Sequence, residues 1–276
     1  MESCLSQTSQ IDAGVDWSAP WLAALRETGM QVAAQPDWRE ALNRRAVLAG
    51  LKNQHGHPIR FVSQQDLPAE LSYEAYINTT GRVPTRENLH DFFNALIWLT
   101  YARVKVQLNA LQAAQIARLG IGKSRGPSRD AATLFDENAA ILAVTDNDTG
   151  HNLVSALRHH QWTEVFVQQR EQFMVHAEVV LFGHAIMEKL VQPYKAITAH
   201  TLVCWVDADF HQLDSSGKTA ILDSQMATQL SACELRTGIF SPLPVLGVPG
   251  WWQKQDLQFY ADASVFRPKR LRQLSA

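Results

Sequence analysis

The chain has little cysteine, no long apolar run and no surplus of positive charge, and each shortage closes off a class of protein. Its only thiols are Cys4, Cys204 and Cys233. Three is an odd number, and they lack CxxC or metal-type spacing, which excludes a disulfide framework and predicts a reducing compartment. No stretch approaches the ~18 consecutive apolar residues that cross a bilayer. The opening MESCLSQTSQIDAGVD lacks the basic and apolar regions of a signal peptide. A cytoplasmic protein with no membrane partner is therefore expected. The formal net charge of −2 argues against non-specific nucleic-acid binding, which wants a strongly basic surface, but leaves room for a local basic groove.

Familiar catalytic signatures are missing too. There is no GxSxG for a serine nucleophile and no HExxH for zinc. Gly120-Ile-Gly122 follows a helical pattern where a dinucleotide fingerprint needs a strand. Gly122-Lys123-Ser124 lacks the upstream glycine of a phosphate loop. What remains is an ordinary globular composition, 46% hydrophobic and 19% charged over 276 residues, long enough to bury a sizeable core. A polar arm over 1–15 and one globular domain over 16–276 are expected.

The stretch Asn88 to Asn109, NLHDFFNALIWLTYARVKVQLN, stands out. At about 100° per residue, Leu89, Phe92, Phe93, Leu96, Ile97, Leu99 and Val104 form one apolar arc. His90, Asp91, Asn94, Trp98, Tyr101, Lys105 and Asn109 fall on an adjoining arc, and these side chains bind things more than they merely solvate a surface. Thr85 or Asn88 can cap the helix, with Asp91 returning to the Asn88 backbone. The pattern predicts one helix running on to Gly120, followed by a Gly/Pro/Ser loop whose Arg125 and Arg129 can reach an anion.

Elsewhere, Trp17–Thr28 and Trp38–Leu51 read as short helices, PIRFV as a strand, and LSYEAYINTTG as a helix stopped by Gly81. Thr133–Val144 suits a hairpin with Asp136, Glu137 and Asn138 near its turn, with a helical turn as the competitor. MVHAEVVLF then HAIMEKLVQ reads as strand then helix, although one long helix from EVFVQQ onward fits the same pattern. TLVCWV is a strand and Ser215–Arg236 a helix; the aromatic, Pro/Gly-rich tail reads as ordered coil. Together these predict an α+β fold, a long central helix packed on a small mixed sheet with further helices and a coil-rich C-terminal segment.

Two readings of the chemistry follow. His184 and Glu188 are four residues apart, as are His90 and Asn94, a helical spacing that metal sites use. With Asp136 and Glu137 they offer N and O ligands for zinc, manganese or iron. Without a metal, His90, Asp136, Glu137 and His184 could divide into acid and base, although adjacent Asp136 and Glu137 would point to opposite faces on a strand. Glu188 could instead pair with a surface cation, and the polar arc could simply hydrogen-bond the C-terminal wrap.

Taken in order, GRVPTRENLHDFFNALIWL, RDAATLFDEN, LFGHAIMEKL, LPVLGVPGWW and FYADASVFRP resemble a bacterial family known only as domain of unknown function 3025, over about Pro58 to Pro268. The resemblance implies no activity. Where that family reads DENG, this chain has Asp136-Glu137-Asn138-Ala139, which weakens a tight turn there because Ala resists positive φ.

The expected function is an enzyme on a small polar or phosphorylated substrate, a divalent-metal-assisted hydrolase. His90, Asp136, Glu137 and His184 would do the chemistry; His90, His184 and Glu188 would hold the metal. Asn94, Trp98, Lys105, Asn109, Arg125 and Arg129 would bind substrate. The alternative is a non-catalytic module binding nucleic acid or protein through Trp251, Trp252 and the basic RPKRLR tail.

Overall fold

The computed structural model describes residues 11–119, 126–232 and 234–269. Arg125, Cys4, Cys233 and the end of the basic tail lie outside them. The fold is α+β. Two N-terminal helices, α1 (Arg26–Ala33) and α2 (Trp38–Leu48), lead into β1 (Arg60–Ser63). α3 (Tyr73–Thr80) ends at Gly81, whose φ of 73° supplies the left-handed stop, and β2 (Arg82–Thr85) then pairs parallel to β1. Trp17 to Leu25 forms only turns and a short 3-10 segment at Pro20–Leu22, so the first expected helix begins later than its apolar pattern suggests.

The segment singled out in the sequence is two helices. α4 (Leu89–Thr100) opens on Asn88, whose side chain accepts from the Asp91 N–H. Phe92, Phe93, Leu96 and Ile97 are all fully buried. Burying each such side chain contributes roughly 1.5–3 kcal/mol, so α4 anchors the core. At Tyr101 the backbone leaves the helical region (φ −123°, ψ 55°), and α5 (Ala102–Leu119) starts afresh. The reason lies far away in the chain. Asp223 accepts from the N–H groups of Arg103 and Val104 at 3.2 and 3.0 Å, capping α5 from another helix.

α6 (Pro127–Asn138) begins with Pro127 in its first turn and runs straight into β3 (Ala139–Thr145). This corrects two expectations. Arg129 is helical, and Asp136, Glu137 and Asn138 close a helix, not a hairpin. Ala139 adopts ordinary extended geometry (φ −94°, ψ 159°), so no glycine is needed there. Every residue of β3 is buried, as its unbroken apolar sequence requires of a strand covered on both faces.

α7 (Asp148–Arg158) and α8 (Arg170–His176) carry the chain to β4 (Ala177–Leu181), and α9 (His184–Lys189) follows. The MVH of the expected strand belongs to α8. Next come β5 (Thr198–Val206), α10 (Ser215–Ala232), β6 (Ser241–Pro244) and a short α11 (Leu257–Tyr260). The four strands lie in the order β4-β3-β5-β6. β3 pairs antiparallel with β4 and parallel with β5, and β5 pairs antiparallel with β6. α6 and α7 pack on β3, while α4 packs on α9 beside the end of α6.

Candidate functional site

The meeting point of α4, α6 and α9 determines the site. The first turn of α4 presents His90, the last turn of α6 presents Asp136 and Glu137, and α9 begins with His184. Gly183 permits the approach. A Cβ there would lie 2.5 Å from the Glu137 carbonyl oxygen and 2.6 Å from the Asn138 and Ala139 nitrogens. The Gly183 N–H donates to the Ala139 carbonyl at 2.8 Å, fastening α9 to the end of α6.

A cavity of about 310 Å³ opens here, lined by His90, Asn94, Asp136, Glu137 and His184 together with Tyr73, Glu74 and Arg86. The two imidazoles face each other with their Nε2 atoms 3.1 Å apart. Glu137 Oε2 is 3.9 Å from His184 Nε2. One ligand atom from each of His90, Glu137 and His184 falls within 4.8 Å of the others. Glu188 is not among them. Its Oε2 lies 3.0 Å from His90 Nδ1, on the far side of the ring. A carboxylate there holds Nδ1–H and turns the Nε2 lone pair towards Glu137 and His184.

His184 is 4% exposed. Burial first, then Lys105 and His90, lower its pKa to about 4 against the pull of Asp136, so the ring is neutral at pH 7. Its Nδ1 has no hydrogen-bond partner and sits 4.0 Å from Asp136 Oδ2. With only the His90 contact to make, one buried nitrogen of His184 is left orphaned. A cation held at Nε2 would fix the hydrogen on Nδ1, the side of the ring on which the Asp136 carboxylate lies 4.0 Å away. Atoms around tetrahedral zinc at ~2.0–2.1 Å stand roughly 3.3 Å apart. The imidazole nitrogens already have that spacing, and two His with one carboxylate suit zinc, manganese or iron.

Behind this set lies a buried polar chain. Lys105 Nζ donates to Asp136 Oδ1 at 2.5 Å and to Asn94 Oδ1 at 2.8 Å. Asn94 Nδ2 donates to Tyr73 Oη at 3.0 Å. Burial works to raise the Asp136 pKa, but Lys105 and His184 hold it below the usual carboxylate range. Glu137 moves the other way, raised by burial against the opposing pull of His90. Glu74 is pushed up to about 7, by burial and then by Asp136. Adjacent Asp136 and Glu137 both reach the cavity because they sit in the last turn of a helix, where neighbours differ by about 100° and not by the 180° of a strand.

The remaining expected site residues are placed as follows. Lys105 is buried, and its ammonium donates to Asn94 and Asp136 and does not line the cavity. Its ammonium also lies 5.4 Å from the Trp98 ring, which is buried beside it. Asn109 donates to the Glu74 carboxylate at 2.6 Å and to the Glu74 carbonyl at 2.9 Å, and so sits one step behind the cavity. Arg129 is near enough to Glu74 to stabilise its anion but does not line the cavity. Asp91 accepts from the Arg86 guanidinium and main-chain N–H, where the sequence had suggested the Asn88 backbone. Trp251 packs half-buried against Trp21, centroids 6.3 Å apart, and Trp252 is 37% exposed. Tyr73, Glu74 and Arg86 were missed. Their segment shows only a helix start, and nothing local marks it as facing a cavity.

No curated protein and no solved structure matches the chain. One family does, described as protein of unknown function (DUF3025), over residues 59–270. That span is most of the chain and contains the whole cluster of α4, α6 and α9, so the chain belongs to this family.

Proposed function

We propose that the cavity is the active site of a hydrolase that uses a divalent metal held by His90, Glu137 and His184 and acts on a small polar molecule. The observation that carries this is the convergence of those three side chains within 4.8 Å, from three separate elements, at the lining of one cavity. A bound divalent ion supplies Lewis acidity and lowers the pKa of water. The protein's part is to keep the His184 imidazole neutral, to leave the cavity side open, and to hold His90 from behind. Burial keeps His184 neutral. Glu188 orients His90.

The test is a metal titration of purified protein with elemental analysis. One divalent ion per chain is expected. His184→Ala should abolish uptake, and Glu188→Gln should weaken it by about 10–100-fold, the usual effect of losing a carboxylate behind a ligating histidine. A folded protein that takes up no zinc, manganese or iron removes the metal and with it the hydrolase reading.

A further inference from the structure

The hydrogen-bond chain behind the cavity has a direction, and Lys105 sets it. An ammonium can only donate, so the side of Asn94 facing it must be the carbonyl oxygen, as found at 2.8 Å. The NH₂ end of Asn94 is thereby turned to Tyr73, and donates to its hydroxyl oxygen at 3.0 Å. Tyr73 Oη is then an acceptor in this contact, and its own hydrogen must go elsewhere. Among the described residues, no acceptor receives it within hydrogen-bond distance. Tyr73 lines the cavity, so the hydrogen is free for whatever enters. Burial and the nearby carboxylates of Glu74, Asp136 and Asp91 raise the phenol pKa well above its usual value, so the hydrogen stays in place.

Charge narrows what that donor meets. Arg86, which lines the cavity, is held by Asp91 through its Nε at 3.1 Å and Nη2 at 2.8 Å. Lys105 is held by Asp136. Glu74 and Glu137 line the same cavity, and among the described residues Arg86 is the one Lys or Arg that lines it; Arg129 near Glu74 and Lys189 near Glu137 stand outside its lining. A phosphate dianion entering here would face those carboxylates, with the lining guanidinium of Arg86 already engaged by Asp91. An uncharged carbonyl avoids this repulsion and still offers an oxygen to a donor.

We infer that the substrate is an uncharged carbonyl compound, an ester or amide, whose carbonyl oxygen accepts the hydroxyl hydrogen of Tyr73. This rests on the metal-hydrolase reading and selects within it, against phosphorylated substrates. The reaction balances with water alone. The water oxygen bonds to the carbonyl carbon and the C–O or C–N bond breaks. One water proton ends on the leaving oxygen or nitrogen, with no change of oxidation state. Tyr73 polarises the carbonyl, and the Lys105–Asn94 pair positions Tyr73.

The experiment titrates the full chain with cobalt(II), follows its visible absorption, and then adds acetohydroxamate or inorganic phosphate. Acetohydroxamate chelates the ion through its carbonyl and hydroxamate oxygens, so both ligands are expected to shift the cobalt band and only acetohydroxamate is expected to depend on Tyr73. Tyr73→Phe should leave cobalt uptake unchanged and weaken acetohydroxamate about tenfold, the loss of one hydrogen bond. Asn94→Asp should weaken it similarly, because a carboxylate accepts from both Lys105 and Tyr73 and draws the phenol hydrogen away. If Tyr73→Phe fails to fold, Asn94→Asp carries the test. Phosphate affinity that falls equally in Tyr73→Phe overturns the inference, as does full acetohydroxamate affinity in a folded variant that still shows the cobalt band. Absence of a cobalt band in the wild-type protein overturns the metal reading itself, and this inference with it.

Discussion

Glu74 shows how one side chain at this site can be read from its titration. Its pKa is raised to about 7 by burial and by Asp136, with Lys105 and the Asn109 hydrogen bond pulling it back. In the unfolded chain an ordinary Glu titrates near 4.3. Between those values the native state binds more protons than the unfolded state, so stability falls as pH rises. The contribution is complete below about pH 4 and is lost as pH passes 7. His184 works in the opposite direction. Its lowered pKa of about 4 means the unfolded state binds more protons up to about pH 6.5, so its contribution is present above that and lost as pH falls through 4. The two partly cancel in the wild-type protein. Glu74→Gln keeps an acceptor for Asn109 and removes one of the two slopes. Denaturant midpoints measured from pH 5 to 8 on metal-free protein should therefore rise more, or fall less, with pH in the variant than in wild type. Parallel curves would mean that Glu74 titrates normally.

Among the elements, the junction of α6, β3 and α9 matters most, because it sets the distance from Glu137 to His184. The atoms that a Cβ on Gly183 would strike are all backbone, the Glu137 oxygen and the Asn138 and Ala139 nitrogens. None can rotate away. Gly183→Ala should force α9 off the end of α6, costing about 1–3 kcal/mol as overpacking does and weakening metal uptake more than tenfold. A thermal melt and a metal titration on the same sample check both; retention of wild-type metal affinity would show that the junction does not position His184. Parts of this arrangement were legible in the sequence. The Asn88 cap, the His90–Asn94 stripe and the Gly81 stop follow from local rules, and the structure has them. The break at Tyr101 was not, because the Asp223 cap of α5 comes from 120 residues away. The helical spacing of His184 and Glu188 was visible, but not that Glu188 would reach past its own helix to His90. Adjacent Asp136 and Glu137 hid their shared cavity behind a strand reading, since Ala139 begins the strand one residue after Asn138.

At the scale of the whole molecule, the proposed ligands join distant parts of one core. His90, Glu137 and His184 belong to α4, α6 and α9, and each helix buries large side chains in the same cluster: Phe92 and Phe93, Phe135, and Ile186 with Met187. An ion bound to all three cannot remain bound when any of these helices leaves, so it binds the folded state and not the unfolded one. A ligand at a hundred times its Kd then stabilises the fold by about 2.7 kcal/mol. For a chain of this size, each kcal/mol moves Tm by roughly 2–4 °C. Zinc or manganese at that excess should raise Tm by roughly 5–10 °C over protein treated with chelator. His184→Ala should show no such rise, because it removes a buried ligand while leaving the exposed histidines that bind metal adventitiously. A rise of equal size in wild type and variant would place the bound ion elsewhere on the surface. A wild-type protein that binds the ion stoichiometrically without any rise would mean the ligands do not span the three helices, because coordination across them cannot leave the unfolding equilibrium unmoved.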